Sequence, residues 1–135
     1  MKFGFDTNVL LSAHLTIGMS KQVLDLCIEK HQVLLSEFII SEFLIKAEKK
    51  FRWPKEQCAF AGWNLRAHVT MVDPAPLAKP VCRDKDDDNI LATALAANCD
   101  ALITGDKDLL VLKKYAGFTI LSPHEVLAFI GEAKK

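Results

Sequence analysis

Along the chain, short runs of consecutive apolar residues alternate with longer stretches in which apolar residues recur every three or four positions. Residues 1–5 (MKFGF) read as a buried strand, and Gln32–Leu35 (QVLL) as a second. Between them, Lys21–Lys30 carries Val23, Leu24, Cys27 and Ile28 at helical spacing. A further helix is predicted from a Ser36 cap to about Lys50, with Glu37 in its first turn and lysines in its last, as the helix dipole favours. Pro54 suits the first turn of another helix, KEQCAFAGWNLRAHV, which gives way to a short apolar stretch and the proline-rich loop DPAPLAKP. Asn89–Asn98 (NILATALAAN) reads as a helix, and Ala101–Thr104 and Phe118–Leu121 read as strands. Ser122, Pro123 and Glu125 supply a cap, a first-turn proline and a capping-box acid for the last helix. This alternation predicts an α/β protein, a three-layer α/β/α sandwich around a mainly parallel central sheet.

Composition narrows the reading. Half of the 135 residues are of hydrophobic type, enough for one core, and no linker divides residues 1–135. Seventeen basic and seventeen acidic residues cancel, so any attraction for a polyanion must come from a local patch. No run of about 18 apolar residues occurs, and the N-terminus lacks the succession of a secretory signal, so the expected setting is cytoplasmic, with no membrane association. Cys27, Cys58, Cys82 and Cys99 are scattered, without a C-x-x-C pair or clustered histidines. They read as small apolar side chains rather than as a zinc site or a disulfide framework.

The acids carry more information. In open parallel sheets, ligands gather beyond the carboxyl ends of the strands. Asp6 directly follows the first strand, Asp106 follows ALITG with Asp108 two residues on, and Asp84, Asp86, Asp87 and Asp88 lead into the helix NILATALAAN. Taken singly, Asp88 is a natural N-cap, Asp106 an ordinary turn residue, and the acidic run a solvated turn. Asp6 resists such a reading, because an aspartate buried at a strand end is costly unless it is paired or binds a cation. Glu42 shares a helix face with Phe38 and Ile45, which adds a further candidate. Carboxylates gathered at one place repel each other unless protons or cations offset the charge, and oxygen-only ligands select hard ions such as Mg²⁺ or Mn²⁺. Such ions activate water for in-line displacement at phosphorus, so metal-assisted phosphodiester hydrolysis is the leading chemistry.

The motifs DTNVLLSA, LLSEFIISEF, CRDKDDDNILATALAANCDALITGDKDLL and ILSPHEVLAFI together resemble the PIN-domain family. Within it, the chain is most similar to the VapC-like toxin components of bacterial toxin–antitoxin systems. The resemblance implies a Mg²⁺- or Mn²⁺-dependent endoribonuclease, often a homodimer, whose partners are an RNA substrate and a cognate antitoxin protein, and whose products carry a 5′ phosphate. It implies Asp6, Glu42, Asp88 and Asp106 as catalytic, metal-ligating acids, with Asp87 the near alternative to Asp88. Asn8, Ser12, Thr104 and Asp108 match the family's supporting polar positions, and Thr7 and Asn8 are expected to hold the Asp6 carboxylate.

The densest basic stretch, Lys46, Lys49, Lys50, Arg52 and Lys55, with Phe51 and Trp53 interleaved, is a candidate RNA surface; its alternative reading is helix-end lysines and core aromatics. Arg83 is a second candidate phosphate contact, or a salt-bridge partner for Asp84. Two other function classes fit less well. A phosphoaspartyl-type phosphatase wants an aspartate two residues after the first, where Asn8 stands, and a receiver domain wants paired acids after strand one. A non-catalytic PIN-like binding module would not need the acids it retains.

Overall fold

The computed structural model describes residues 1–133. Six strands form one sheet: β1 (Lys2–Phe5), β2 (Gln32–Leu35), β3 (Thr70–Met71), β4 (Ala101–Ile103), β5 (Lys114–Tyr115) and β6 (Phe118–Leu121). Their spatial order is β3-β2-β1-β4-β6-β5, parallel throughout except for β5, which runs antiparallel to β6 as the edge. The turn from β5 into β6 passes through Ala116 and Gly117, both at positive φ (49° and 91°), which lets two short strands reverse within a tight hairpin.

Around the sheet lie α1 (Thr7–Leu15), α2 (Met19–Lys30), α3 (Glu37–Lys49), α4 (Lys55–His68), α5 (Lys85–Ala97), the single turn α6 (Lys107–Leu110) and α7 (Val126–Ala133). In β1, Phe3, Gly4 and Phe5 are all buried, as are Ala101, Leu102 and Ile103 in β4. Successive side chains point to opposite faces, so burial of every position means that both faces of the central strands are covered. The α/β sandwich with a mainly parallel sheet is therefore as expected. Phe3, Phe5, Leu10, Leu35, Ile39, Ile40, Phe43, Ile90 and Leu91 make the largest part of the core, and each is at most 2 % exposed.

Local chemistry explains the joints. Ser36 caps α3 by accepting from the Ile39 amide, and its hydroxyl also accepts from Thr93 of α5 at 2.9 Å, a buried bond that ties the two helices together. Arg66 of α4 grips Glu37 of α3 through Nε and Nη2, each at 2.9 Å, in a forked pair. Helix α5 differs from expectation: it begins at Lys85, four residues before Asn89, and its N-cap is Asp84, which accepts from the Asp86 amide at 2.9 Å. Asp86, Asp87 and Asp88 thus fall in its first turn, where the positive end of the helix dipole meets them. Cys27, Cys58 and Cys99 are buried and Cys82 is half-buried, with no disulfide among them. Among the described residues, no helix is long and apolar enough to cross a membrane.

Candidate metal centre

Sheet register places the first acid. Phe5 pairs with Ile103, so the residues that follow them, Asp6 and Thr104, leave the sheet side by side. The Asp6 amide donates to the Ile103 carbonyl at 2.9 Å, and the Thr104 hydroxyl donates to Asp6 Oδ2 at 2.6 Å. Asp6 also caps α1, its Oδ1 accepting from the Asn8 amide at 3.2 Å. Only 3 % of Asp6 is exposed. Burial raises its pKa; the bonds from Thr104 and Asn8 oppose that rise, the charge of Asp106 adds to it, and Lys46 counters it.

The Thr104 oxygen has a second duty. It accepts from the Asp106 amide at 3.0 Å, and Asp106 in turn caps α6 by accepting from the Asp108 amide at 2.8 Å. One hydroxyl therefore fixes the Asp6 carboxylate and the loop that carries Asp106. The third approach is from α5. Asp87, 8 % exposed, brings a carboxylate oxygen to where Asp87, Asp106 and Asp108 each have one within 4.8 Å of the others. Burial, and after it the charges of Asp106, Asp6, Asp84 and Asp108, push the Asp87 pKa up to about 6.

Asp88, the residue matched to the family's spacing, lies elsewhere. Its Oδ1 accepts from the Cys82 amide at 2.8 Å, and both its oxygens sit 3.3 Å from the Val81 amide, so it fastens the end of the proline-rich loop to α5. The physical reason is the earlier start of α5: successive residues in a helical turn diverge by about 100°, so Asp87 and Asp88 face different neighbours. Glu42 is half-buried on α3 and is not among the three clustered acids. It stands one helical turn before Lys46, whose ammonium reaches Asn8 Oδ1 at 3.4 Å.

The remaining expected residues are placed as follows. Asn8 holds Asp6 through its amide, whereas the Thr7 hydroxyl is buried without a hydrogen-bond partner among the described residues and does not hold Asp6. Ser12 lines a cavity of about 260 Å³ together with Asn8, Ser20, Gly105, Asp106 and Pro123, directly beside the acids. Arg83 pairs not with Asp84 but with Asp108, through Nη2 at 2.9 and 3.0 Å. Lys49, Lys50, Arg52 and Lys55 are exposed and Lys46 is half-buried. Trp53 packs edge-on against Phe43 at 6.0 Å and near His14 at 6.3 Å, so it belongs to the packing, while Phe51 is 48 % exposed. Sequence reading passed over Phe60 and Trp63, exposed neighbours on α4 at 6.2 Å; their one-turn spacing was the available signal.

The donor set suits a hard dication. Three carboxylates, two of them without an ion pair among the described residues and the third paired to Arg83, bring only oxygen donors together, and burial followed by the charge of Asp88 pushes the nearby Cys82 thiol up to about 12.

Comparison with known proteins places the fold and the family. No curated protein sequence matches the chain. Its fold is similar to that of VapBC-1 from nontypeable Haemophilus influenzae (TM-score 0.63, 16 % identity, 92 % of this chain and 99 % of that one). It is also similar to VapBC2 from Rickettsia felis bound to a DNA fragment from their promoter (TM-score 0.60, 13 % identity, 90 % and 98 %). FitAcB from Neisseria gonorrhoeae is a third such structure (TM-score 0.53, 16 % identity, 90 % and 98 %). Residues 2–108 match the family described as PIN domain, and the chain belongs to that family.

Proposed function

We propose that this PIN domain is a metal-dependent endoribonuclease, and that it acts as the toxin of a toxin–antitoxin pair. The observation that carries the reading is the meeting of Asp87, Asp106 and Asp108 within 4.8 Å, beside buried Asp6, at the carboxyl edge of a parallel sheet. Asp87, Asp106 and Asp108 would hold Mg²⁺ or Mn²⁺, with Asp87 in the place assigned to Asp88 on sequence spacing. A dication held there would supply an acidified water and charge neutralisation at the phosphorus.

The protein's own residues do the positioning. Thr104 fixes the Asp6 carboxylate by donating to Oδ2 and steadies the Asp106 loop by accepting its amide. Asp87, with its pKa about 6, keeps a proton in mildly acidic solution and must release it before binding a cation. Lys46 bridges to Asn8 and balances Asp6, and Glu42 stands one turn away as an outer acid. Exposed Lys49, Lys50, Arg52 and Lys55, with Phe51, would meet the RNA backbone and its unpaired bases. A cognate antitoxin and a second copy of the chain are the protein partners, in a cytoplasmic setting. The support for the antitoxin is the motif resemblance together with the fold shared with VapBC proteins.

The test is cleavage of a synthetic single-stranded RNA by the purified chain. Cleavage should stop with EDTA, return with Mn²⁺ or Mg²⁺, and leave 5′-phosphorylated products. Asp6→Asn should lower it at least about 100-fold, since even outer partners of a metal site are worth 10- to 100-fold. Metal-independent cleavage, or full activity in Asp6→Asn, would refute the reading.

A further inference from the structure

We propose that Arg83 is an internal counter-ion for Asp108 that yields its place to the divalent cation and is thereby released to bind a phosphodiester of the RNA, making substrate capture follow metal loading. The inference rests on the nuclease reading above.

The two arginine–carboxylate pairs among the described residues show what distinguishes it. Arg66 and Glu37 use two nitrogens on two oxygens, the forked arrangement that joins α4 to α3. Arg83 instead directs one nitrogen, Nη2, at both oxygens of Asp108, at 2.9 and 3.0 Å. Its Nε and Nη1 make no hydrogen bond among the described residues, and its side chain is 87 % exposed. Such an exposed pair contributes little to holding a fold. Nor is it needed to anchor this segment, because the amides of Val81 and Cys82 are already held by Asp88. What remains is its location. Asp108 is one of the three clustered acids, so Arg83 compensates charge at a place where a dication would do so more strongly.

The substrate side follows from charge. The chain as a whole is neutral, and an acid cluster repels phosphate, so a phosphodiester approaching it needs a local cation. A guanidinium whose Nε and Nη1 are unused, and whose Nη2 is released with Asp108, matches a phosphate in shape and charge. While it is paired to Asp108 it is occupied; once the acids have another counter-charge it is free within reach of the reacting phosphate. Arg83 is then a positioning residue whose availability depends on the state of the acids.

The experiment compares the wild type with Arg83→Ala, Arg83→Gln and Arg83→Lys in two measurements, Mn²⁺ affinity by calorimetry without RNA, and KM and kcat on the RNA oligonucleotide. Arg83→Ala and Arg83→Gln should bind Mn²⁺ about threefold more tightly, the order expected from removing an exposed competing pair. Their KM should rise about tenfold with kcat within about twofold, as for a lost hydrogen bond to a charged group. Arg83→Lys should restore part of the KM. Unchanged or weaker Mn²⁺ binding in Arg83→Ala, or an unmoved KM, overturns the assignment while leaving the nuclease intact. A wild type that neither binds Mn²⁺ nor cuts RNA refutes the nuclease reading itself, and this inference falls with it.

Discussion

The two ends of the sheet carry aspartates in opposite circumstances. At the amino end, Asp100 stands just before β4, exposed, accepting from the Lys2 amide at 2.7 Å in a shallow hollow shared with Met1, Lys2, Lys30 and His31. At the carboxyl end, Asp87, Asp106 and Asp108 converge, Asp6 lies close enough to feel the charge of Asp106, Arg83 pairs with Asp108, and Lys46 bonds to Asn8 beside them. The same residue type is thus exposed at one end, and crowded at the other, where Asp6 and Asp87 are buried and Asp106 and Asp108 half-buried. The asymmetry comes from the parallel topology: loops leaving β1 and β4 turn directly into helix N-termini on the same side, and each of those turns is capped by an aspartate. What marks the site is therefore like charge crowded at a partly buried place, and Asp100 at the other end is an internal control.

The largest effects should separate three aspartates. Asp87→Asn is expected to lower RNA cleavage at least about 100-fold, Asp88→Asn to cost about 1 kcal/mol of stability with activity within a few-fold, and Asp100→Asn to change neither beyond the scatter of surface substitutions. Initial rates with Mn²⁺ and urea midpoints measure all three. Equal losses in Asp87→Asn and Asp88→Asn would erase the distinction drawn between them.

A smaller effect, about 10- to 100-fold in activity or Mn²⁺ affinity, is expected from Thr104→Val, which keeps the shape but removes the hydroxyl that serves both Asp6 and Asp106. Calorimetric titration with Mn²⁺ reads it directly.

The pH dependence is the mildest expected effect. The Asp87 pKa lies at about 6 when folded, against an ordinary 3.8. Between those values the folded protein retains a proton that the unfolded chain has released, so folded stability is greatest at the acidic end and declines as pH rises to about 6, by roughly 2 kcal/mol. The difference in urea stability between the wild type and Asp87→Asn, followed in EDTA from pH 4 to 7, isolates this contribution. Mn²⁺ should reverse the decline, because binding to the folded state alone stabilises it. A wild type that gains stability relative to Asp87→Asn over that range would contradict the crowding.

How far the sequence could be read depended on the length of the signal. β1, β2, β4 and β6, of three or four residues each in apolar runs, and the helices α2 to α5 and α7, with longer periodicities or firm caps, were visible as such. β5 and β3, of two residues each, and α6, a single turn, have too few positions to show a period, and only partner strands or a cap define them. Asp6 and Asp106 could be located as strand-end acids because the strands were visible. The choice between Asp87 and Asp88 could not be made in the same way. Every residue of the run DKDDD tolerates the start of a helix, and a shift of one position rotates the wrong carboxylate inward. Arg83 met its partner 25 residues away rather than its neighbour, a pairing that only the approach of α5 to α6 creates. Trp53 read either as a stacking surface beside the lysines or as a core aromatic, and its contacts with Phe43 and His14 select the second.

The caps at Asp6 and Asp106 also bear on how the site is prepared. Asp106 has Oδ1 on the Asp108 amide, and Asp6 has one oxygen on the Asn8 amide and the other on the Thr104 hydroxyl. Each of these oxygens keeps a lone pair beside the hydrogen bond it accepts, so the bonds fix the direction in which the carboxylates point without using them up. The starts of α1 and α6 thereby hold both groups in one orientation before any ligand arrives.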